Sequence, residues 1–416
     1  MYCSLVKGAA HVTILVGSLL ATTVAGLADG FLETDLVSDL PDRAKTLDPF
    51  LVNAWGLATA PTSPFWVANN GTGTSTLYSG QGVPQPPGTN PPHQPLIVSI
   101  PIPGNPTGRD GTPTGAVFNI GLASGAFPIP PSGTTKAPSI FLFATEDGTI
   151  VGWNPGINPT GSDPTLAGTF GTIAVDNSGN NFTDPANASG AVYKGLAIAH
   201  ANQPIFSTDA DTTSVIYVTN FRSGKVEVYD SQFRPVPLPA GAFTDPSLPN
   251  FYAPFNIVEV GSKLVVTYAV QDAKRHDDVA GQSHGIVNIF NLDGSGLQRF
   301  AQHGQLNSPW GVALAPAGFG EFAGDLLIGN FGNGHINAFD SGNGVFLGSG
   351  TGEFIDKVRD PHGQALVIDG LWSLRVGNGS VGGDIDKIYF TAGPNGETHG
   401  LFGVLCSVSS STCPPK

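Results

Sequence analysis

One short pattern recurs six times along the chain, and it constrains the fold more than any other feature. A turn closing on a polar or small residue opens an apolar strand at 53–58, 112–117, 193–198, 252–257, 307–312 and 369–374. A second apolar run follows each copy, at 65–68, 140–144, 215–219, 264–270, 326–329 and 388–391. A polar, mostly Gly-bearing turn then leads to a third, at 76–78, 150–153, 226–229, 286–290, 336–339 and 401–405. Three to four short antiparallel strands per unit predict an all-β, six-bladed β-propeller. A single blade cannot cover its own faces, whereas a closed ring buries them and limits exposed edges. Copies lie about 55–80 residues apart, against roughly 40–50 for common propeller repeats, so long loops are inserted.

The sixth unit runs out after its third strand. A strand at 33–39 is expected to complete it, closing the ring with the two ends of the chain. The Pro-rich stretch 84–95 and the polar segment 176–190 become loops within one domain. The expected organisation is a signal segment at 1–28, the propeller at 29–405 and a C-terminal tail at 406–416.

Composition agrees with this layout. The chain holds 56 Gly and 35 Pro, residues that weaken helix interiors. A hydrophobic share of 40% with 25 Phe is enough for a large core and argues against disorder. The balance of 18 basic and 32 acidic residues, a net charge of −14, leaves no basic stripe for phosphates. Nucleic acid is therefore not expected as a partner, and an anionic membrane surface is disfavoured on the same grounds.

Residues 1–28 carry one charge, Lys7, then an apolar run and small residues suited to cleavage after Ala25 or Ala28. A secreted, extracellular monomer with no membrane anchor in the mature chain is expected. Cys406 and Cys413, six residues apart, are expected to form a disulfide pinning the tail, as an oxidising compartment allows. Sequons stand at Asn70, Asn181, Asn187 and Asn378.

The motifs Asn53-Ala-Trp-Gly-Leu-Ala58 and Phe65-Trp-Val-Ala-Asn-Asn-Gly-Thr-Gly73, the 271–281 loop and Ser308-Pro-Trp-Gly-Val-Ala313 resemble those of a secreted propeller family. Its layout is similar to NHL-type six-bladed propellers, and some bacterial members occur among PEP-CTERM-sorted proteins. The resemblance covers most of 34–405 and implies the fold, but no activity.

Propeller geometry predicts which residues converge. The loops leading into the first strands and the hairpins after the second strands open on one face, around the channel. The loops bring Asn53, Thr112, Tyr193, Lys194, Tyr252, Asn307 and Asp369. The hairpins bring Asn69, Asn70, Glu146, Asp147, Asn220, Arg222, Asn330, Asn333, Asn395 and Glu397. Ligand binding is expected from Asn53, Lys194, Tyr252, Asn307 and Asp369. Oxygen donors of low total charge suit Ca²⁺, for which Asn53, Asn307 and Asp369 are the candidate ligands. Asn and Asp also suit tight turns for their own conformational reasons. Trp55, Trp310 and Trp372 are expected to pack blades rather than to hold substrate.

The segment richest in reactive groups is 272–278. In it His276, with Asp277 or Asp278, could act as a general base or hold a metal. A solvated charged loop is the alternative. Gly281-Gln-Ser-His-Gly285 fits G-x-S-x-G but precedes a strand, not a helix, and Gly377-Asn-Gly-Ser-Val-Gly382 opens no helix either. Two functions follow. The first is binding of a small molecule, glycan or peptide at the top-face mouth. The second is a Ca²⁺-dependent hydrolase of lactonase or esterase type at the same place.

Overall fold

The structure is a computed structural model that describes residues 1, 30–85, 96–130, 135–157, 170–179, 190–208, 210–346 and 351–413. The signal-like segment, most of the Pro-rich stretch, and the sequons at Asn181 and Asn187 lie outside the described residues.

Six sheets, antiparallel except where the short strand Thr46–Leu47 pairs in parallel with Phe31–Ser38 at the edge of the sixth, form a β-propeller. Blade one is Ala54–Ala58, Phe65–Asn69, Thr74–Tyr78 and Ile97–Ser99. Blade two is Pro113–Phe118, Phe141–Thr145, Thr149–Trp153 and Thr172–Asp176. Blade three has Tyr193–His200, Ser214–Asn220 and Lys225–Tyr229 among the described residues. Blade four is Tyr252–Val260, Lys263–Val270, Ile286–Asn291 and Gln298–Gln302. Blade five is Pro309–Leu314, Leu326–Asn330, Ile336–Phe339 and Phe354–Lys357. In blade six, Leu371–Val376, Ile388–Ala392 and Leu401–Ser407 are followed in space by Phe31–Ser38. That last pair is antiparallel, with Phe31 opposite Ser407 and Ser38 opposite Leu401.

Alternation along each strand explains why these runs are apolar on both sides. In the second strand of blade four, Leu264, Val266 and Tyr268 pack with Ala197, Val215 and Tyr217 of blade three. Val265, one residue out of phase, packs instead with Val312, Leu326 and Ile328 of blade five. The core is thus divided among blade junctions, and a further cluster, with Trp55, Phe255, Trp310 and Trp372, fills the channel.

The inner strands approach one another closely around the axis. A Cβ on Gly56 would lie 2.1 Å from Thr114 O, and one on Gly195 would lie 2.5 Å from Asn256 Oδ1. Where the repeat carries Asn or Ser instead of Gly, the side chain bonds the next blade. Asn256 Nδ2 donates to Trp310 O at 2.7 Å, and Ser373 Oγ donates to Trp55 O at 2.8 Å.

The inner strands of all six blades break register at this level, between Ala54 and Leu57, Pro113 and Ala116, Tyr193 and Gly195, Pro254 and Asn256, Pro309 and Gly311, and Leu371 and Leu374. Such irregularities re-aim a side chain. The residues at these breaks, Trp55, Thr114, Lys194, Phe255, Trp310 and Trp372, are all buried.

Cys406 and Cys413 form a disulfide with Cα atoms 5.5 Å apart, tying the tail to the Leu401–Ser407 strand. On the opposite strand, burial pushes the Glu33 carboxyl up to about 7, aided by Asp35 and opposed by Arg43. The folded ring then holds a proton that the unfolded chain releases, so stability falls as pH rises from about 4.5 to 7. Glu33→Gln is expected to flatten this part of the pH profile in denaturant titrations. An unchanged slope would show that other groups set it.

Candidate functional site

The inner strands start on one face, and there five blades contribute to a single polar network around the channel mouth. Its centre is Lys194, on the inner strand of blade three, with a side chain only 2% exposed. The ammonium donates to Glu146 Oε1 in the blade-two hairpin, and lies 3.3 Å from Asp277 Oδ1 in the blade-four hairpin. His276 Nδ1 is 2.8 Å from the same Asp277 oxygen. On the other side, Glu146 Oε2 accepts from Asn70 Nδ2 at 2.8 Å, and Asn53 Nδ2 reaches Asn70 Oδ1 at 3.2 Å. Asn53 Nδ2 also donates to Glu397 Oε2 at 2.7 Å, while its Oδ1 accepts from Trp372 Nε1 at 2.9 Å. The chain of contacts therefore runs unbroken from Trp372 to His276.

Aromatic rings form the floor. Trp55 and Trp372 stack with centroids 3.6 Å apart, and Phe331 stacks on Trp372 at 3.9 Å. Lys194 Nζ lies 5.0 Å from the Trp55 ring centroid, a cation–π geometry. The three tryptophans are packing residues, as expected, but they pack against one another across the channel rather than between blades.

The electrostatics follow from these contacts. Burial works against the Lys194 charge, yet Glu146 and Asp277 outweigh it and lift its pKa above the ordinary 10.5. It is an ammonium at neutral pH. The hydrogen bond from His276, with the nearby Lys194 charge, holds Asp277 well below the usual carboxylate range. Burial raises the carboxyls of Asp278 and Glu397; at Glu397 the Asn53 hydrogen bond pulls the other way. The 272–278 loop is folded by Asp272, whose Oδ1 accepts from the backbone N of His276 at 2.8 Å. Asp272 lies in the segment singled out from the sequence, but no role was expected of it individually.

Other expected residues sit apart from this network. Asn307 Oδ1 accepts from Gly281 N at 2.7 Å, and Asp369 Oδ2 accepts from Asn395 N at 2.8 Å. Tyr252 Oη donates to Ser283 O at 3.4 Å. No hydrogen bond joins Asn53, Asn307 and Asp369 to one another among the described residues; each spends an oxygen holding a local loop or an indole. The donors that the structure does gather are Glu146, His276 and Asp277, with one ligand atom from each lying within 4.8 Å of the others. These three could hold a metal ion.

No protein-family model matches the chain. Among solved structures it is similar to the virginiamycin B lyase of Staphylococcus aureus, with a TM-score of 0.43 and 11% identity over 90% of this chain and 98% of that one. An uncharacterised protein of Acanthamoeba polyphaga mimivirus is 30% identical over 375 residues, 89% of this chain and 79% of the relative. A second uncharacterised protein of the same virus is 30% identical over 374 residues, 89% of this chain and 84% of that protein. The chain is a six-bladed β-propeller that belongs to the family of these uncharacterised viral proteins.

Proposed function

We propose that the chain binds a small hydroxylated ligand, of glycan or sugar-lactone type, at the top-face mouth of its channel. The observation that carries this reading is Lys194, a buried ammonium in a slot that other blades fill with Trp, Thr or Phe. A buried ion pair seldom stabilises a fold more than apolar residues of the same volume. A charged cluster at a channel mouth therefore fits a binding role better than a structural one. Lys194 and Asn70 supply donors beside the acceptors of Glu146, Asp277 and Glu397, an alternation suited to neighbouring hydroxyls. Asp277, 65% exposed, and His276, 36% exposed, stand where an incoming ligand would meet them.

The test is calorimetric titration of monosaccharides, sugar lactones and short peptides against the full chain and its Glu146→Gln variant. Binding by a sugar or lactone that weakens about tenfold or more in the variant is expected. Silence across the panel, or binding that ignores the substitution, would overturn the reading.

A second reading, hydrolysis, is favoured by the His276–Asp277 pair. The carboxylate holds one ring nitrogen and leaves the other to take a proton from water. Lactone or ester turnover that disappears in His276→Ala is its expected signature. An ion in that reaction would use Glu146, His276 and Asp277. That set contains a nitrogen and few oxygens, closer to the preference of Zn²⁺ than to the six to eight oxygens Ca²⁺ takes. The Lys194 ammonium competes for the same carboxylates. A rise in melting temperature with Ca²⁺ or Zn²⁺, abolished in Glu146→Gln, supports an ion there; no rise removes it. The proposed setting is extracellular and monomeric, in an NHL-type layout, and the Cys406–Cys413 bond suits an oxidising compartment.

A further inference from the structure

Below the tryptophan floor the channel holds a cavity whose chemistry differs from that of the mouth. It encloses about 400 Å³, within the range of small-molecule sites. Every blade contributes apolar wall through the later part of its inner strand, including Leu57, Phe118, Ile198, Val260, Leu314 and Val376. Trp310 forms part of the roof, and Ile120, 48% exposed, stands at the rim.

One cation lines this apolar wall. Arg375, on the inner strand of blade six, donates from Nε to Thr59 Oγ1 at 3.3 Å, its single hydrogen bond among the described residues. A guanidinium has five N–H donors, so most of its hydrogen-bonding capacity is unused by the protein. No ion pair compensates the charge among the described residues. Glu259 lines the cavity at blade four, but it is exposed and its Oε1 accepts from Ser262 N at 2.6 Å. Burial lowers the Arg375 pKa to about 10, which still leaves it charged at neutral pH. Arg375 is half-buried against this wall, and a partly desolvated cation without a counter-charge gains from an anion that joins it.

We propose that the lower channel binds an amphipathic monocarboxylate, its head on the Arg375 guanidinium and its apolar chain along the inner-strand wall. Bidentate pairing of a planar guanidinium with a carboxylate supplies the head-group energy, and the wall supplies the rest. The Trp55, Trp310 and Trp372 cluster, with Trp310 edge-on to the other two rings, separates this cavity from the mouth: Trp310 lines the cavity, and its Nε1 donates to Lys194 O at 3.2 Å.

The test is calorimetric titration of decanoate, decyl phosphate and 1-decanol against the full chain. Decanoate is expected to bind about tenfold or more tightly than 1-decanol, and Arg375→Met to remove that difference. Glu146→Gln, at the other end of the channel, should change neither. Tighter binding of decyl phosphate than of decanoate would replace the carboxylate with a phosphate head and overturn the proposal as stated. Equal binding of decanoate and decanol, or indifference to Arg375→Met, would overturn it outright. Should that variant not fold, Val258→Phe narrows the cavity and keeps the arginine. It is expected to lose both decanoate and decanol, and retained decanoate binding would place the ligand elsewhere.

Discussion

Lys194→Met is expected to lower the free energy of unfolding by about 3 kcal/mol or more, although methionine nearly preserves the volume. The substitution leaves Glu146, only 11% exposed, beside the tryptophan floor without its cation. Asp277 suffers less because it is 65% exposed and keeps His276. The diagnostic is the double variant Lys194→Met with Glu146→Gln, which removes the orphaned charge and should recover much of the loss. Equilibrium denaturation of the four proteins measures the coupling directly. A single-variant loss below about 1 kcal/mol would mean that the pair is solvated like a surface ion pair.

The pH dependence of this cluster has two limbs. The raised Lys194 pKa contributes stability that is complete below the ordinary value of 10.5 and is lost as pH rises through the folded value. The depressed Asp277 pKa contributes stability that is complete above the ordinary value of 3.8 and is lost as pH falls toward the folded value. Between those limits both Lys194 and Asp277 should keep their charges.

Trp372→Ala is the second large effect, about 3–5 kcal/mol, in the range for deleting a buried aromatic side chain. The ring stacks on Trp55 and Phe331, at 3.6 Å and 3.9 Å, so its loss undermines two further aromatic side chains. It also leaves buried Asn53 Oδ1 without the indole donor at 2.9 Å. Trp372→Phe separates the two contributions. It keeps most of the packing and should lose about 1–3 kcal/mol through the unsatisfied oxygen. Thermal and denaturant unfolding of both variants reads the difference, and an alanine variant as stable as the phenylalanine one would refute the floor's structural role.

The fold was legible because the repeat encodes it twice, in strand spacing and in the small residue after each bulge. The register breaks place Lys194 at the level of Trp55, Thr114, Phe255, Trp310 and Trp372. The six copies read from sequence put these residues at their second, third or fourth positions, so the single cation in an otherwise uncharged layer emerges only from the strand pairing. Glu146, Asn70 and Glu397 were assignable to the correct face, because hairpin position follows from strand order. Their pairings were not assignable, since they depend on how far each loop leans over the axis. Asn307 and Asp369 illustrate the limit. Both reach the mouth, but nearby backbone N–H groups, of Gly281 and Asn395, claim their oxygens. No spacing rule announces a partner contributed by another loop.

The strand that completes blade six has a consequence for how the molecule is made. Ser38 donates to the carbonyl of Gly400, a contact spanning 362 residues, so the ring closes only once the far end of the chain has been synthesised. Until then the edge of the 31–38 segment that will meet Leu401–Ser407 has no partner, the kind of surface that recruits other chains. It carries Glu33 and Asp35, charges that discourage such pairing. The carboxylate charge that burial disfavours in the finished ring thus guards the nascent one.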